Sequence, residues 1–303
     1  MQFQVIDTSG IYNLPATFSL LSMGQGDPCL RFDGANGMRL ALLTPEGPAA
    51  VILRQDGEQI ATQTCGDGGE WLKPHLPAML GIDYQPPDIR EPRALKDIAV
   101  RLSGMRIPRL PAISLRVVQI ILQQLISYRD ACAGWRQIVH RYGSPVPRHD
   151  DLWFPPTPAV LRRLASHEFI ECGVLPQHGR RIVEAMRHTM KIEAAWQAGT
   201  SATSIDRTCD FLSLIPGIGP WTVGFLRGTG LGDSDAEVRG DYGHPKHVSY
   251  FFNHHVDADD EEMLRLLEPY RPHRFYVLSL LINGTPKPPR RGPRGRSLRD
   301  RLR

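Results

Sequence analysis

Over the first hundred positions, apolar residues fall in short runs that suit strands. The segments QFQVI, TFSLL, CLRFDG, MRLALLT and AAVILRQDG are apolar or alternating over strand lengths. Asp33-Gly34 and Asp56-Gly57 supply hairpin turns between them. GEWLKPHLPAML reads as a helix lying on that sheet, and Pro86, Pro87 and Pro92 then break the chain. Beyond this break the apolar spacing becomes helical. SLRVVQIILQQLISYRDACAGWRQIVHRYG predicts one long amphipathic helix, with Ser114 as its N-cap and Gly143 as its stop. TPAVLRRLAS opens with Thr157 as cap and Pro158 in the first turn. QHGRRIVEAMRHTMKIEAAW, SIDRTCDFLSLI, PWTVGFLR, HPKHVSYFFN, DADDEEMLRLLEPY and RPHRFYVLSLLI continue the helical pattern. The expected fold is α+β: a small β-rich domain over residues 1–100, an all-α body over 101–284 and a basic, disordered tail over 285–303.

One stretch leaves the helical pattern without becoming polar. LIPGIGPWTVGF, from Leu214 to Phe225, sets two glycines and two prolines among large apolar side chains. A helix ending near Leu214 and another starting at Pro220 reconcile these residues. Proline suits a first helical turn, where its missing N–H would have had no partner. Gly217 and Gly219 permit positive φ and expose bare backbone. The unpaired amides and positive dipole end of the second helix then face outward, a natural place for a phosphate. Ile215 and Ile218 would anchor the turn between the helices. An ordinary helix–helix turn accounts for one glycine, but the whole P-G-I-G string is far more specific.

Composition adds boundaries. The 303 residues, 41% hydrophobic and 22% charged, suit a globular protein of about two domains. No apolar run reaches membrane-spanning length and MQFQVIDTSG lacks the pattern of a signal peptide. The expectation is a cytoplasmic monomer with no membrane partner. Cys29, Cys65, Cys132, Cys172 and Cys209 show no C-x-x-C spacing, which favours free thiols over a zinc or iron–sulfur site. Neither G-x-x-x-x-G-K nor G-x-G-x-x-G occurs, so no nucleotide cofactor is expected. His254, His255, Asp257 and Asp259 in HHVDAD read as a loop leading to an Asp-capped helix rather than as a metal site. The net charge of +4 is unevenly placed. From Thr285 onward eight basic residues face one acidic residue, so the tail carries +7 and the rest −3. Such a tail cannot pack a core but can contact phosphates.

LIPGIGPWT, with an aspartate beyond it, resembles the helix–hairpin–helix (HhH-GPD) DNA glycosylase superfamily. Within it, QIILQQLIS, LEPYRPHRFYVLSLL and VRGDYGHPKHV resemble 3-methyladenine DNA glycosylase II, the alkylation-repair branch, in an actinobacterial-like form. The resemblance implies that Asp241, 22 residues after Gly219, is the catalytic carboxylate. A fixed carboxylate in a dry pocket would stabilise the positive sugar formed when an N-glycosidic bond breaks. An isolated aspartate before a helix is more often a plain N-cap, and Asp233 and Asp235 compete by proximity. Strand-cutting members carry a lysine in the hairpin's second helix. Trp221 holds that place here, which implies a monofunctional enzyme without lyase activity. Lys246, a candidate substitute for that lysine, is better read as a phosphate contact or a solvated charge.

The same resemblance implies double-stranded DNA with a flipped damaged base as partner, met in the nucleoid. Trp221, Phe225 and Tyr242 are the expected pocket aromatics, suited to electron-poor alkylated bases, although aromatic pairs at this spacing more often pack a core. The branch's late tryptophan falls at Leu281 or Ile282 here, and the acid that a neutral lesion would need has no candidate. Leu125 matches the residue that fills the gap in the duplex, with Gln124 beside it to touch the orphaned base; a core leucine is the competing reading. Gly217, Ile218, Gly219 and Thr222 are the expected hairpin contacts to DNA. No cofactor is required, though carbonyls of Leu214, Pro216 and Gly219 lie where family members hold a structural Na+ or K+. Two other readings stand beside alkyl-base excision: a DNA-binding protein without excision, and a glycosylase for a different damaged base. Removing the tail after Thr285 is expected to weaken DNA binding and flatten its dependence on salt, measured by titration at several ionic strengths; an unchanged slope would make the tail a bystander.

Overall fold

The computed structural model describes residues 4–197 and 202–289. Strands β1 (Gln4–Asp7), β2 (Leu30–Phe32), β3 (Gly37–Thr44), β4 (Gly47–Asp56) and β5 (Gln59–Cys65) form one antiparallel sheet in the order β1-β5-β4-β3-β2. Both Asp-Gly pairs make turns, joining β2 to β3 and β4 to β5. Helices α1 (Leu14–Phe18), α2 (Gly69–Leu72), α3 (Leu76–Met79) and α4 (Arg93–Arg101) accompany the sheet. The body then runs through α5 (Ser114–Gln123), α6 (Tyr128–Tyr142), a ribbon of β6 (Ser144–Val146) and β7 (His149–Phe154), α7 (Pro158–Leu161), α8 (Ser166–Glu171), α9 (Pro176–Arg187), α10 (Thr189–Gln197), α11 (Ala202–Ser213), α12 (Pro220–Thr229), α13 (His244–Asn253), α14 (Asp260–Leu267) and α15 (Arg274–Gly284).

The differences from the sequence pattern have local causes. TFSLL is helical rather than extended, because Asn13 caps α1 through the Ala16 amide at 3.1 Å and Pro15 sits in its first turn. GEWLKPHLPAML is split by Pro74 and Pro77 into α2, a 3₁₀ turn and α3. The long helix expected from Ser114 to Gly143 is broken between Gln123 and Tyr128. Ser127 caps the second half, accepting the Asp130 amide at 3.1 Å. Ser114 is not the cap of α5. The carboxylate of Glu193, from α10, accepts the amides of Ile113 at 3.0 Å and Ser114 at 2.7 Å instead. The β6–β7 ribbon interrupts the expected all-α body. Its three- and six-residue strands, with Pro145 inside β6 and Pro147 between the two, are too short for periodicity to register, and β7 is held beside the sheet by the Trp153 amide on the Pro28 carbonyl at 2.8 Å. Asp259 caps α14 as expected.

One hydrophobic cluster runs from Ile6 and Leu53 in the sheet through Trp135 to Leu281 in α15, so the β-rich front and the helical body share a core. Arg116 of α5 lies in the seam, 2% exposed. Its guanidinium donates to the carbonyls of Leu20 and Leu21, to Gln119 and to the Thr229 hydroxyl of α12. Burial pulls it down to about 10. Among the described residues no helix is long and apolar enough to cross a membrane. Most of the basic tail, residues 290–303, lies outside the described residues. Glu193→Ala should lower stability by about 1–3 kcal/mol, because it leaves two helix-end amides buried without an acceptor. A urea midpoint unchanged from the parent protein would contradict this role.

Candidate active site

The hairpin forms between α11 and α12. Ile215 and Ile218 are buried and anchor it, while the Ile218 amide is spent on the Ile215 carbonyl at 3.0 Å. Gly217 has φ +88°, and a Cβ there would meet the Arg181 side chain at 2.6 Å, so only glycine fits. Gly219 does not take the expected positive φ; at φ −103° it is extended, with open space where a Cβ would stand. The first amide of α12 to find a carbonyl is that of Val223, on Gly219 at 3.1 Å. The amides of Gly219, Trp221 and Thr222 lie ahead of it at the positive end of the helix. Leu214, 78% exposed, flanks this surface. Among the three carbonyls considered for a monovalent cation, that of Gly219 is shared with Val223, and those of Leu214 and Pro216 accept no protein donor among the described residues. That set is compatible with a monovalent ion but is small.

Gln124 is not where an orphaned base could reach it. It is buried, with Nε2 donating to the Gly217 carbonyl at 3.0 Å and to Thr222 Oγ1 at 2.8 Å, and Oε1 accepting Arg181 Nη1 at 2.6 Å. Thr222 is likewise buried, its hydroxyl taken by Gln124. These bonds fix the turn after α5 against the hairpin. The next residue, Leu125, takes φ +56° and is 89% exposed. It is not a core leucine: a branched side chain in the left-handed region, thrust into solvent, is an outlier that favours a surface task.

Asp241 is brought to α12 by close backbone approach. A Cβ on Gly224 would lie 2.2 Å from the Glu237 carbonyl oxygen, so the chain leading to Asp241 passes directly over the helix. Asp241 Oδ2 accepts Trp221 Nε1 at 2.8 Å; Oδ1 accepts the amides of Gly243 at 2.7 Å and His244 at 2.8 Å. His244 Nδ1 stands 3.6 Å from Oδ2. Burial alone would raise the carboxyl, but the facing His244 ring, the two amides and the indole outweigh it and hold Asp241 below the usual carboxylate range. The competing acids are spent elsewhere. Asp233 pairs with Arg227 at 2.7 Å, and Asp235 with Arg274 at 2.7 Å. Asp241 thus binds the amides at the start of α13 from two residues ahead of its Gly243 N-cap and is the functional candidate as well, two uses of one carboxylate.

Trp221 and Phe225 stack with centroids 5.6 Å apart and 16° between planes. Phe225 is mostly buried, backed by Arg116 at 5.6 Å, and forms a floor beneath the half-exposed Trp221. Tyr242 does not join them. It is 82% exposed, with Lys246 Nζ 3.5 Å from its ring centroid, which also holds Lys246 away from an ion pair with Asp241. In α15, Leu281 is fully buried and Ile282 half-buried, so no aromatic stands at that end.

No family model matches the chain. Its fold is similar to that of a 3-methyladenine DNA glycosylase from Archaeoglobus fulgidus, with a TM-score of 0.72 and 20% identity over 92% of this chain and 97% of that one. The chain has the helix–hairpin–helix DNA glycosylase fold. That fold is shared with an 8-oxoguanine glycosylase/lyase from Clostridium acetobutylicum, at TM-score 0.67 and 12% identity over 94% of this chain and 97% of the other. A protein of Mycobacterium tuberculosis described as "Probable bifunctional transcriptional activator/DNA repair enzyme AlkA" is 27% identical over 227 residues, 71% of this chain. The match takes in 41% of that protein's length.

On this glycosylase fold, two residues near the site were not singled out by sequence. Arg181 supports both Gly217 and Gln124, but lies 36 residues before the hairpin glycine with no local mark. His244 had a mark, its position three residues after Asp241 and in the first turn of a helix. Trp221→Phe keeps the ring stack and removes the indole N–H. The Asp241 titration, followed by carboxylate NMR, should then move up toward the ordinary range. An unshifted titration would show that the indole is not its donor.

Proposed function

We propose that the chain is a monofunctional DNA glycosylase that hydrolyses the N-glycosidic bond of alkylated bases in duplex DNA, the first step of base excision repair. One observation carries the reading. A half-buried carboxylate held below the usual carboxylate range, Asp241, is bonded to the indole of Trp221 on the helix that follows the hairpin. The hairpin amides would grip a backbone phosphate, and Leu125 would enter the duplex as the damaged base leaves it. The carbonyls of Leu214 and Pro216 would hold a monovalent cation, which supplies a positive charge toward that phosphate. The flipped base would stack on Trp221, backed by Phe225. Asp241 would stabilise positive charge at C1′ as the base departs and orient the water that replaces it.

Alkylated bases are favoured over oxidised ones on two counts. Trp221 occupies the place where strand-cutting members of the superfamily keep a lysine, and an indole cannot form a Schiff base. The mycobacterial relative and the archaeal 3-methyladenine enzyme also point to alkylation repair. The protein would act as a monomer in the nucleoid. Asp241→Asn is expected to reduce release of 7-methylguanine and 3-methyladenine from methylated DNA by at least about 10²-fold while leaving DNA affinity nearly unchanged. Chromatography of released bases and a binding titration measure the two. Full activity in the variant would remove Asp241 from the chemistry, and a borohydride-trapped adduct with the parent protein would refute the monofunctional assignment.

A further inference from the structure

A cationic base departs as a neutral molecule. A neutral base departs as an anion unless a proton reaches it while the bond breaks. Asp241, held below the carboxylate range, is ionised at neutral pH and has no proton to give. His244 lies beside it. Its Nδ1 is 3.6 Å from Asp241 Oδ2, and its ring centroid is 6.0 Å from that of Phe225. The imidazole therefore borders both the carboxylate and Phe225 of the aromatic pair. Nδ1 is buried with no hydrogen-bond partner in the free protein, and no group among the described residues bonds Nε2. A buried polar atom left unpaired is costly. Such a cost beside a carboxylate suits a ring that meets a ligand better than one that only packs.

We propose, on the glycosylase reading above, that His244 protonates the departing base and so extends excision from cationic to neutral lesions. Asp241, 3.6 Å away in the free protein, would close on Nδ1–H once the base is bound and leave Nε2–H for the base. The C1′–N bond breaks with its electron pair going to the base, the Nε2 proton passes to a ring nitrogen of the base, and His244 is left neutral. Water then adds to C1′ and releases its spare proton to solvent, while Asp241 stays ionised throughout. The groups around the ring are consistent with this. Asp241 faces it from the preceding loop, and the uncharged Phe225 and Trp221 face it from α12. On its own helix lie His247, with Nε2 2.6 Å from Thr285 Oγ1, and Lys246, turned onto Tyr242. Lys287 acts on His247 from the chain after α15. Asp241 is the one acid among them.

The test compares single-turnover release of hypoxanthine, a neutral base, with that of 7-methylguanine, a cationic one, from duplex oligonucleotides between about pH 5 and pH 8. The parent protein should release both, with hypoxanthine release falling as pH rises through the imidazole titration and 7-methylguanine release nearly flat. His244→Gln and His244→Asn, each checked for a parental melting temperature, should lower hypoxanthine release by about 10²-fold and 7-methylguanine release by far less. Equal losses for the two bases, a flat hypoxanthine profile, or release of 7-methylguanine alone by the parent protein would overturn the role of His244. Release of neither base by the parent protein would instead refute the glycosylase reading on which it stands.

Discussion

The side-chain amide of Gln124 holds the hairpin surface in shape. It bonds the Gly217 carbonyl and the Thr222 hydroxyl on the hairpin and receives Arg181 from α9, so three separate chain segments meet at one buried residue. Each of its polar atoms is used, and removing any partner would leave a buried group unsatisfied. The same tether sets the turn after α5, from which Leu125 projects with a left-handed backbone. Leu125 and the hairpin are therefore tied together, and on the proposed reading a phosphate gripped by the hairpin would place Leu125 at a fixed point on the duplex.

A second bond extends that unit to the chemistry. Trp221 follows the first residue of α12, and its indole reaches Asp241 at 2.8 Å. Gly224 lets the chain bearing Asp241 pass close enough to α12 for this bond to form. The hairpin, Leu125 and the carboxylate are thus linked by two hydrogen-bonded side chains, Gln124 and Trp221. A carboxylate placed this way keeps its charge despite burial because neutral donors and a histidine surround it, rather than an arginine that would cancel it. Asp233 and Asp235, paired with Arg227 and Arg274, illustrate the alternative.

Much of this was legible in the sequence because the key residues are local. P-G-I-G between apolar helices announces its turn, Pro220 marks where α12 begins, and Asp241 follows at a short spacing. Gln124 and Thr222 were misplaced for the opposite reason. A glutamine next to an exposed leucine has the composition of a surface contact, and only tertiary packing turns it inward. Tyr242 shows the same limit: adjacency to Asp241 says nothing about which side of the chain its ring takes. The break between α5 and α6 was hidden because Gln124 to Ser127 continues the apolar period, while the left-handed Leu125 has no sequence signature. The Glu193 cap on α5 comes from about 80 residues away and no local rule finds it.

The central claim is that Asp241 recognises positive charge at the sugar. Binding of duplex DNA carrying a cationic pyrrolidine in place of the deoxyribose, against the same duplex with a neutral tetrahydrofuran, tests this most directly. The parent protein should prefer the cationic duplex by at least about tenfold, and Asp241→Asn should erase the preference without weakening binding to the neutral one. A preference that survives the substitution, or none in the parent protein, would contradict the account.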